Sequence, residues 1–156
     1  MLALSTIMEG KAPFKTLLGH ALVKDQAGQD MHKSSGNAIW FEDAAEEMGV
    51  DVMRWMYASQ NPEHNLLFGY SVADEMRKQL ITLWNTYSFF VTYANLDDFD
   101  PSIPIDLGTL VKSDRWIISK INKFIKTAEY YYNSFQVFHL MSEASQLLDN
   151  LSNWYI

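Results

Sequence analysis

The sequence contains no cysteine. This absence excludes disulfide-linked folds, thiolate-bound zinc or iron–sulfur centres, and catalysis by a cysteine nucleophile. It also makes an oxidising compartment unnecessary, so we expect the protein in the cytoplasm. No apolar run approaches the roughly 20 residues that cross a bilayer, and no membrane partner is expected. The 4 histidines lack metal-ligand spacing, so no metal site is expected either.

Cations are scarce, with 12 Lys and Arg residues against 19 Asp and Glu, which gives a net charge of −7. Such a protein is not attracted as a whole to nucleic acid, so any nucleic-acid binding must come from a local cluster of cations. Hydrophobic residues make up 48% of the chain and charged residues 20%, as in globular proteins. Its 156 residues are enough for a core that needs no metal or disulfide.

Short, mixed elements are predicted before Phe68. The run Phe14–Lys24 predicts one bent strand or two short ones, followed by a turn at Asp25–Gly28. A polar loop comes next. Two short helices are then predicted, over Glu42–Met48, ending at Gly49, and over Val52–Ser59.

The rest of the chain is predicted to be helical, because apolar residues recur there at steps of three and four. The expected helices run from Ser71 to about Ala94, over about Lys112–Asn133 and over about Gln136–Tyr155. Three antiparallel helices with short connections make a bundle. We therefore predict a mainly α fold, with a short β-containing segment over residues 1–70 and a helical bundle over 71–156.

On these helices the expected inward residues are Val72, Met76, Leu80, Leu83, Trp84, Tyr87, Val91 and Ala94, then Ile117, Ile121, Phe124, Ala128 and Tyr131, then Val137, Met141, Ala144, Leu148, Leu151 and Tyr155. The aromatic run from Trp84 to Tyr93 favours core packing over a platform on which bases stack.

One candidate site is the polar loop that contains Met31, His32, Lys33 and Ser34. A lysine beside hydroxyls and a glycine suits a phosphate, because the ammonium supplies charge and hydroxyl and N–H groups donate hydrogen bonds. The pattern alone favours the alternative, a solvated loop whose serines cap the next helix.

A second candidate site is a set of cations on the second long helix. At about 100° per residue, Lys112, Arg115, Lys123 and Lys126 point within roughly 60° of one direction, and Lys120 lies near its edge. Asp114 is the only acidic residue among residues 112–126. Such a stripe could follow a nucleic-acid backbone, or it could be the ordinary polar face of a bundle helix.

Several segments, in order along the chain, resemble class I aminoacyl-tRNA synthetases. Gly19–Gly28 followed by Met31–Asn37 resembles the KMSKS signature region, and Gly49–Trp55 resembles the Gly-Ala-Asp-x-x-Arg segment that follows it. The segments similar to isoleucyl-tRNA synthetases in particular are Leu83–Leu96, Phe99–Pro101, Asp114–Ile117 and Leu151–Ile156. The ordered set covers essentially the whole chain and is a more specific signal than the loop alone.

This resemblance implies the end of a Rossmann-type catalytic domain followed by an anticodon-binding helical bundle. Met31, Lys33 and Ser34 would be the methionine, second lysine and final serine of the loop that stabilises ATP phosphates, with Mg²⁺ in the whole enzyme. The basic helix would face tRNA, the isoleucine acceptor by resemblance.

The sequence also departs from the family pattern. Asp30 stands where the family has the first lysine, His32 where it has a serine, and Leu67 where it tends to have an arginine. A lysine-to-aspartate change alters the charge beside a triphosphate by two units, which should weaken transition-state stabilisation. The HIGH signature is absent from these residues.

We therefore expect a fragment or stand-alone relative of this family that binds tRNA and does not catalyse aminoacylation by itself. The alternatives are a synthetase-related tRNA-binding module and a helical protein-interaction domain, each with a decayed ATP loop. The oligomeric state stays open.

Overall fold

The computed structural model describes residues 1–156 and is predominantly helical, which confirms the predicted fold class. Its elements are α1 (Leu2–Glu9), β1 (Val23–Asp25), α2 (Phe41–Glu47), α3 (Val50–Ser59), β2 (Leu66–Phe68), α4 (Tyr70–Leu96), α5 (Lys112–Asn133) and α6 (Val137–Asn150). Lys33–Ser35 forms a 3₁₀ turn, and Leu151–Tyr155 continues α6 as a π-helical turn. None of the helices combines the length and the apolar character needed to span a bilayer.

The strand predicted over Phe14–Lys24 is wrong for most of its length. Only Val23–Asp25 is a strand, because only there does the chain form a regular ladder with another strand. It pairs in parallel with β2, with Val23 opposite Leu66 and Asp25 opposite Phe68. Between Lys11 and His20 every residue is exposed, and α1 and β2 are elements that the sequence did not predict.

The core lies where α2, α3, β2 and the first turns of α4 meet. Its buried members are Ala44, Met48, Val52, Met53, Met56, Phe68 and Ala73. Val72, Met76 and Leu80 extend this packing along α4. The core therefore crosses the Phe68–Ser71 segment, and the division into residues 1–70 and 71–156 stays a prediction.

Gly69 joins β2 to α4 at a point of close approach. A Cβ atom built on Gly69 would lie 2.7 Å from Oε1 of Gln26, so only glycine leaves room for that side chain. The same Oε1 accepts hydrogen bonds from the backbone N–H of Ser71, at 3.2 Å, and from its hydroxyl, at 2.8 Å. The turn after β1 is thereby held against the start of α4.

Among the three long helices, α6 contacts both of the others, whereas those two hardly contact each other. α6 packs antiparallel on α5, with the rings of Tyr131 and His139 stacked at one end and the Tyr155 hydroxyl bonded to Asp114 at the other. α6 runs alongside α4, and α4 and α5 make little direct contact. The α5–α6 connection is short as predicted, whereas the α4–α5 connection, from Asp97 to Val111, is not.

Because α6 covers only one side of its neighbours, several residues predicted to point inward are exposed. Ile117 is buried, but Ile121 is exposed, and so is most of the aromatic run on α4. Trp84 is 66% exposed and Phe90 is 53% exposed, so the prediction of core packing for this run is wrong.

Candidate functional site

The candidate loop is shaped by the side chain of Asn37. Its Nδ2 donates to Oδ2 of Asp25 at 2.9 Å and to the backbone carbonyl of Asp30 at 3.0 Å. Its Oδ1 accepts from the backbone N–H of His32 at 3.0 Å. One amide therefore joins both ends of the loop to the turn after β1.

The carboxylate of Asp25 organises that turn. Its Oδ1 accepts the backbone N–H groups of Ala27 and Gln29, at 3.0 and 2.8 Å. The hydrogen bond from the Gln29 amide, followed by that from Asn37, lowers the pKa of Asp25 below its ordinary value of 3.8. Asp25 therefore stays ionised and holds the turn at neutral pH.

The four candidate loop residues differ in their surroundings. Met31 is half-buried and packs against the core, whereas His32, Lys33 and Ser34 are exposed. The ammonium of Lys33 lies 4.3 Å from the ring centre of Trp40, a cation–π contact that leaves the charge in solvent. The predicted exposure of this loop is confirmed, but the predicted serine cap is wrong, because α2 begins after Trp40 without a side-chain cap.

Asp30, at the start of the loop, is paired with Lys24 across the turn that follows β1. Its Oδ1 lies 3.1 Å from Nζ of Lys24, and the two residues also form an isolated antiparallel bridge. The pair is partly exposed, so it contributes little to stability. Its main effect is local, because the Lys24 ammonium neutralises the carboxylate beside the loop.

On α5, the candidate cations are not paired with carboxylates. We call Lys112, Arg115, Lys120, Lys123 and Lys126 the basic face; none of them forms a salt bridge, although the protein has an excess of acidic residues. The carboxylate within this part of the helix, Asp114, accepts the backbone N–H of Val111 at 3.1 Å and the Tyr155 hydroxyl at 3.1 Å. Asp114 is therefore occupied at the start of α5.

Three members of the basic face share one open groove of about 630 Å³. The groove is lined by Leu107, Leu110, Arg115, Ile118, Ser119, Asn122, Lys123 and Lys126. Lys120 lies to one side, with its ammonium 5.8 Å from the ring centre of Trp116. Lys112 is exposed at the first turn and does not line the groove.

Arg115 also has a structural role that the sequence did not reveal. Its guanidinium donates to the backbone carbonyls of Leu110, at 3.1 Å, and Gly108, at 3.4 Å. These bonds hold the end of the α4–α5 connection against the groove. The charge of Arg115 remains, but the lysines are the side chains free to move toward an anion.

The loop and the basic face lie on different elements, and the structure does not merge them into one site. A family model described as tRNA synthetases class I (I, L, M and V) matches residues 1–67, which contain the loop. Over its whole length the chain is 35% identical, across 158 positions, to the isoleucine--tRNA ligase of Bacillus thuringiensis (strain Al Hakam). The chain is a relative of the isoleucyl-tRNA synthetases.

Two clostridial isoleucine--tRNA ligases support this relationship. The chain is 37% identical over 160 positions to that of Clostridium acetobutylicum, with the whole chain covered, and 37% identical over 158 positions to that of Clostridium tetani, with 99% of it covered. It spans about 15% of the length of these curated relatives. The relationship thus extends over both candidate sites.

The loop of this synthetase relative fits a triphosphate only in part. Lys33 and the hydroxyl of Ser34 are exposed and could contact phosphate oxygens. Asp30, in contrast, places a carboxylate where the signature has its first lysine, and this carboxylate lies 3.1 Å from Nζ of Lys24 in β1. The loop therefore offers one free ammonium where the KMSKS signature has two.

Sequence reasoning missed the two side chains that organise this loop, Asp25 and Asn37. The signal for Asp25 was present, because an aspartate that opens a turn typically accepts N–H groups two residues or more ahead. No local signal marks Asn37, since its partners lie 12 and 7 residues away.

Proposed function

We propose that this chain binds tRNA through the basic face of α5, as the helical part of an isoleucine–tRNA ligase. One observation carries the proposal: five cations lie on a single helix without a salt bridge, in a protein of net charge −7. Unpaired ammonium groups can turn to phosphates without breaking an existing pair, and releasing counterions from RNA favours binding.

The relationship to isoleucine--tRNA ligases supports tRNA as the nucleic acid and the isoleucine acceptor as the preferred one. It also supports a cytoplasmic location. The groove beside Arg115, Lys123 and Lys126 supports the same helix as the contact surface, because it offers polar and charged groups along its length.

In the proposed enzyme, Lys33 and Ser34 contact the phosphates of ATP, which is bound with Mg²⁺. We do not expect the 156 residues alone to activate isoleucine, because they contain no HIGH signature and only one free ammonium in the loop. Isoleucine-dependent exchange of pyrophosphate into ATP by the purified chain would contradict this expectation.

The binding proposal is tested with the variant Lys120→Gln, Lys123→Gln, Lys126→Gln. We expect this variant to bind isoleucine tRNA at least about tenfold more weakly at moderate salt, because three phosphate contacts are lost. A matched control, Lys11→Gln, Lys15→Gln, Lys78→Gln, changes the net charge equally at exposed lysines outside the basic face and should bind as the unmodified chain does.

Filter binding with isoleucine tRNA and an unrelated tRNA provides the measurement. Equal losses in the two triple variants would mean that overall charge, rather than the basic face, determines binding. No binding by the unmodified chain at low salt would overturn the proposal.

A second candidate function, docking of a protein partner, is favoured by the exposed aromatic side chains of α4. Phe89, Phe90, Tyr93 and Phe99 surround an apolar groove of about 330 Å³ together with Ile156. A partner held there would be lost with Phe90→Ala and retained by the lysine variant, which is the opposite of the outcome expected for tRNA.

A further inference from the structure

Tyr130 extends the basic face by one helical turn toward the end of α5. At about 100° per residue, its side chain projects about 40° from the direction of Lys126 and about 20° from that of Lys123. It lies about 6 Å beyond Lys126 along the helix axis. The face therefore ends in an aromatic ring that follows directly after its last cation.

The ring of Tyr130 is exposed but held in place. It is 64% exposed, and its centre lies 5.4 Å from that of Tyr131 in an edge contact. Tyr131 is half-buried and stacks on His139 at 5.4 Å, with an angle of 26° between the planes. Tyr130 is thus the outer member of a short row of rings, which lowers the entropy lost when a ligand orders it.

The chain leaves the end of α5 in an unusual conformation at Phe135, about one turn beyond Tyr130. Phe135 has φ 57°, a left-handed conformation that a bulky side chain rarely adopts, and it is 51% exposed. Glycine is the usual residue where a helix ends in this way. The turn therefore keeps a second large ring in solvent at the same end of α5, as is common at ligand-binding positions.

The charges around Tyr130 favour an anionic ligand from one direction. The carboxylate of Glu129 points about 100° away around the helix, and Glu143 lies beside Lys120 and Lys123 on the side that faces α6. Glu129 also lies about 60° from Lys126 around the helix, but it forms no salt bridge with that lysine, so the Lys126 ammonium stays available to an anion. A ligand that carries phosphates and a planar, neutral ring matches this arrangement.

We infer that Tyr130 is a stacking platform for an unpaired RNA base, whose neighbouring phosphates are held by Lys123 and Lys126. This inference rests on the proposed tRNA binding and specifies the part of the RNA that the helix recognises. Bases within a duplex already stack on both faces, whereas unpaired bases can turn out and stack on aromatic side chains.

The test compares two RNA probes that carry the same number of phosphates, a stem-loop with an unpaired loop and a fully paired duplex. Tyr130→Ala should weaken binding of the stem-loop at least about fivefold, leave duplex binding unchanged, and leave the salt dependence unchanged. Tyr130→Phe keeps the ring and should restore stem-loop affinity.

Tyr132→Ala is the matched control, because Tyr132 is 61% exposed and projects from another side of α5. Circular dichroism of each variant should match that of the unmodified chain. Stem-loop binding by Tyr130→Ala that is as tight as that of the unmodified chain would contradict base stacking on Tyr130. The same loss in Tyr132→Ala would contradict it too. Neither result would contradict phosphate binding by the lysines. If neither probe binds the unmodified chain, the proposed function itself fails.

Discussion

The region around α2 and α3 and the region of the long helices differ in how many of their side chains are buried. Around α2, α3, β2 and the first turns of α4, seven buried residues form a continuous core. Farther along the chain only Ile117 and Leu140 are buried, although α4, α5 and α6 are the longest elements. Beyond the first turns of α4, the long helices therefore contribute mostly surface.

The buried residues and the exposed cations are also expected to have different roles, the first in stability and the second in binding. Burial of apolar side chains drives folding, and most of the fully buried ones lie outside α5 and α6. The unpaired cations lie on α5 instead, where changing them removes no buried contact. We expect substitutions near the core to change the free energy of unfolding and those on α5 to change binding.

The largest effect should come from Met56, whose side chain is fully buried. Met56→Ala should lower the free energy of unfolding by about 2–5 kcal/mol, because it leaves a cavity in the core. Trp84→Ala, at a residue that is 66% exposed, should lower it by less than about 1 kcal/mol. Urea unfolding followed by circular dichroism measures both, and equal losses would contradict the contrast between core and long helices.

A smaller effect is expected at Gln79, which joins α4 to two other helices. Its Oε1 accepts from Nε1 of Trp55 at 2.9 Å and from the hydroxyl of Ser145 at 3.0 Å. Gln79→Met should cost about 1–3 kcal/mol, because the partly buried Trp55 N–H loses its acceptor.

In a Trp55→Phe background this donor is already absent. The additional cost of Gln79→Met measured there by urea unfolding should therefore be smaller. An equal cost in both backgrounds would show that the hydrogen bond does not join the helices.

The smallest effect is expected on the pKa of Asp25, which Asn37 joins to the loop. Hydrogen bonds from the Gln29 amide and from Asn37 lower the pKa of Asp25 below 3.8, so their contribution is complete above the ordinary pKa and is lost as the pH falls through the lowered value. Asn37→Ala should raise this pKa toward the ordinary value. NMR titration of the carboxyl carbon of Asp25 measures the change.

Asp100 provides an internal control for this titration. Hydrogen bonds from the hydroxyl and the backbone N–H of Ser102 lower its pKa, and Asn37 takes no part in them. A shift of Asp100 as large as that of Asp25 would indicate a general change of fold instead of a lost contact in the loop.

Local sequence patterns were enough for the helices from α2 to α6, although not for α1. α5 begins and ends where its periodicity predicts, at Lys112 and Asn133, because helical hydrogen bonds join residues close in the chain. The β1–β2 pair was missed because its partners, Val23 and Leu66, lie far apart in sequence. No short pattern records such a pairing.

The candidate sites, too, have some features that local sequence could predict and others that it could not. The direction of the lysines follows from helix geometry alone, so the basic face could be predicted. The roles of Asn37 and Arg115 depend on where other segments fold, and the exposure of Trp84 depends on which side of α4 is covered by α6. These features required the tertiary structure.

The most direct test of the account is the salt dependence of tRNA binding. For the unmodified chain, the logarithm of the association constant should fall linearly with the logarithm of salt concentration. The Lys120, Lys123 and Lys126 glutamine variant should show a slope shallower by about 2–3, whereas the Lys11, Lys15 and Lys78 control keeps the original slope. Identical slopes for all three proteins would contradict the claim that the basic face of α5 contacts the phosphates of tRNA.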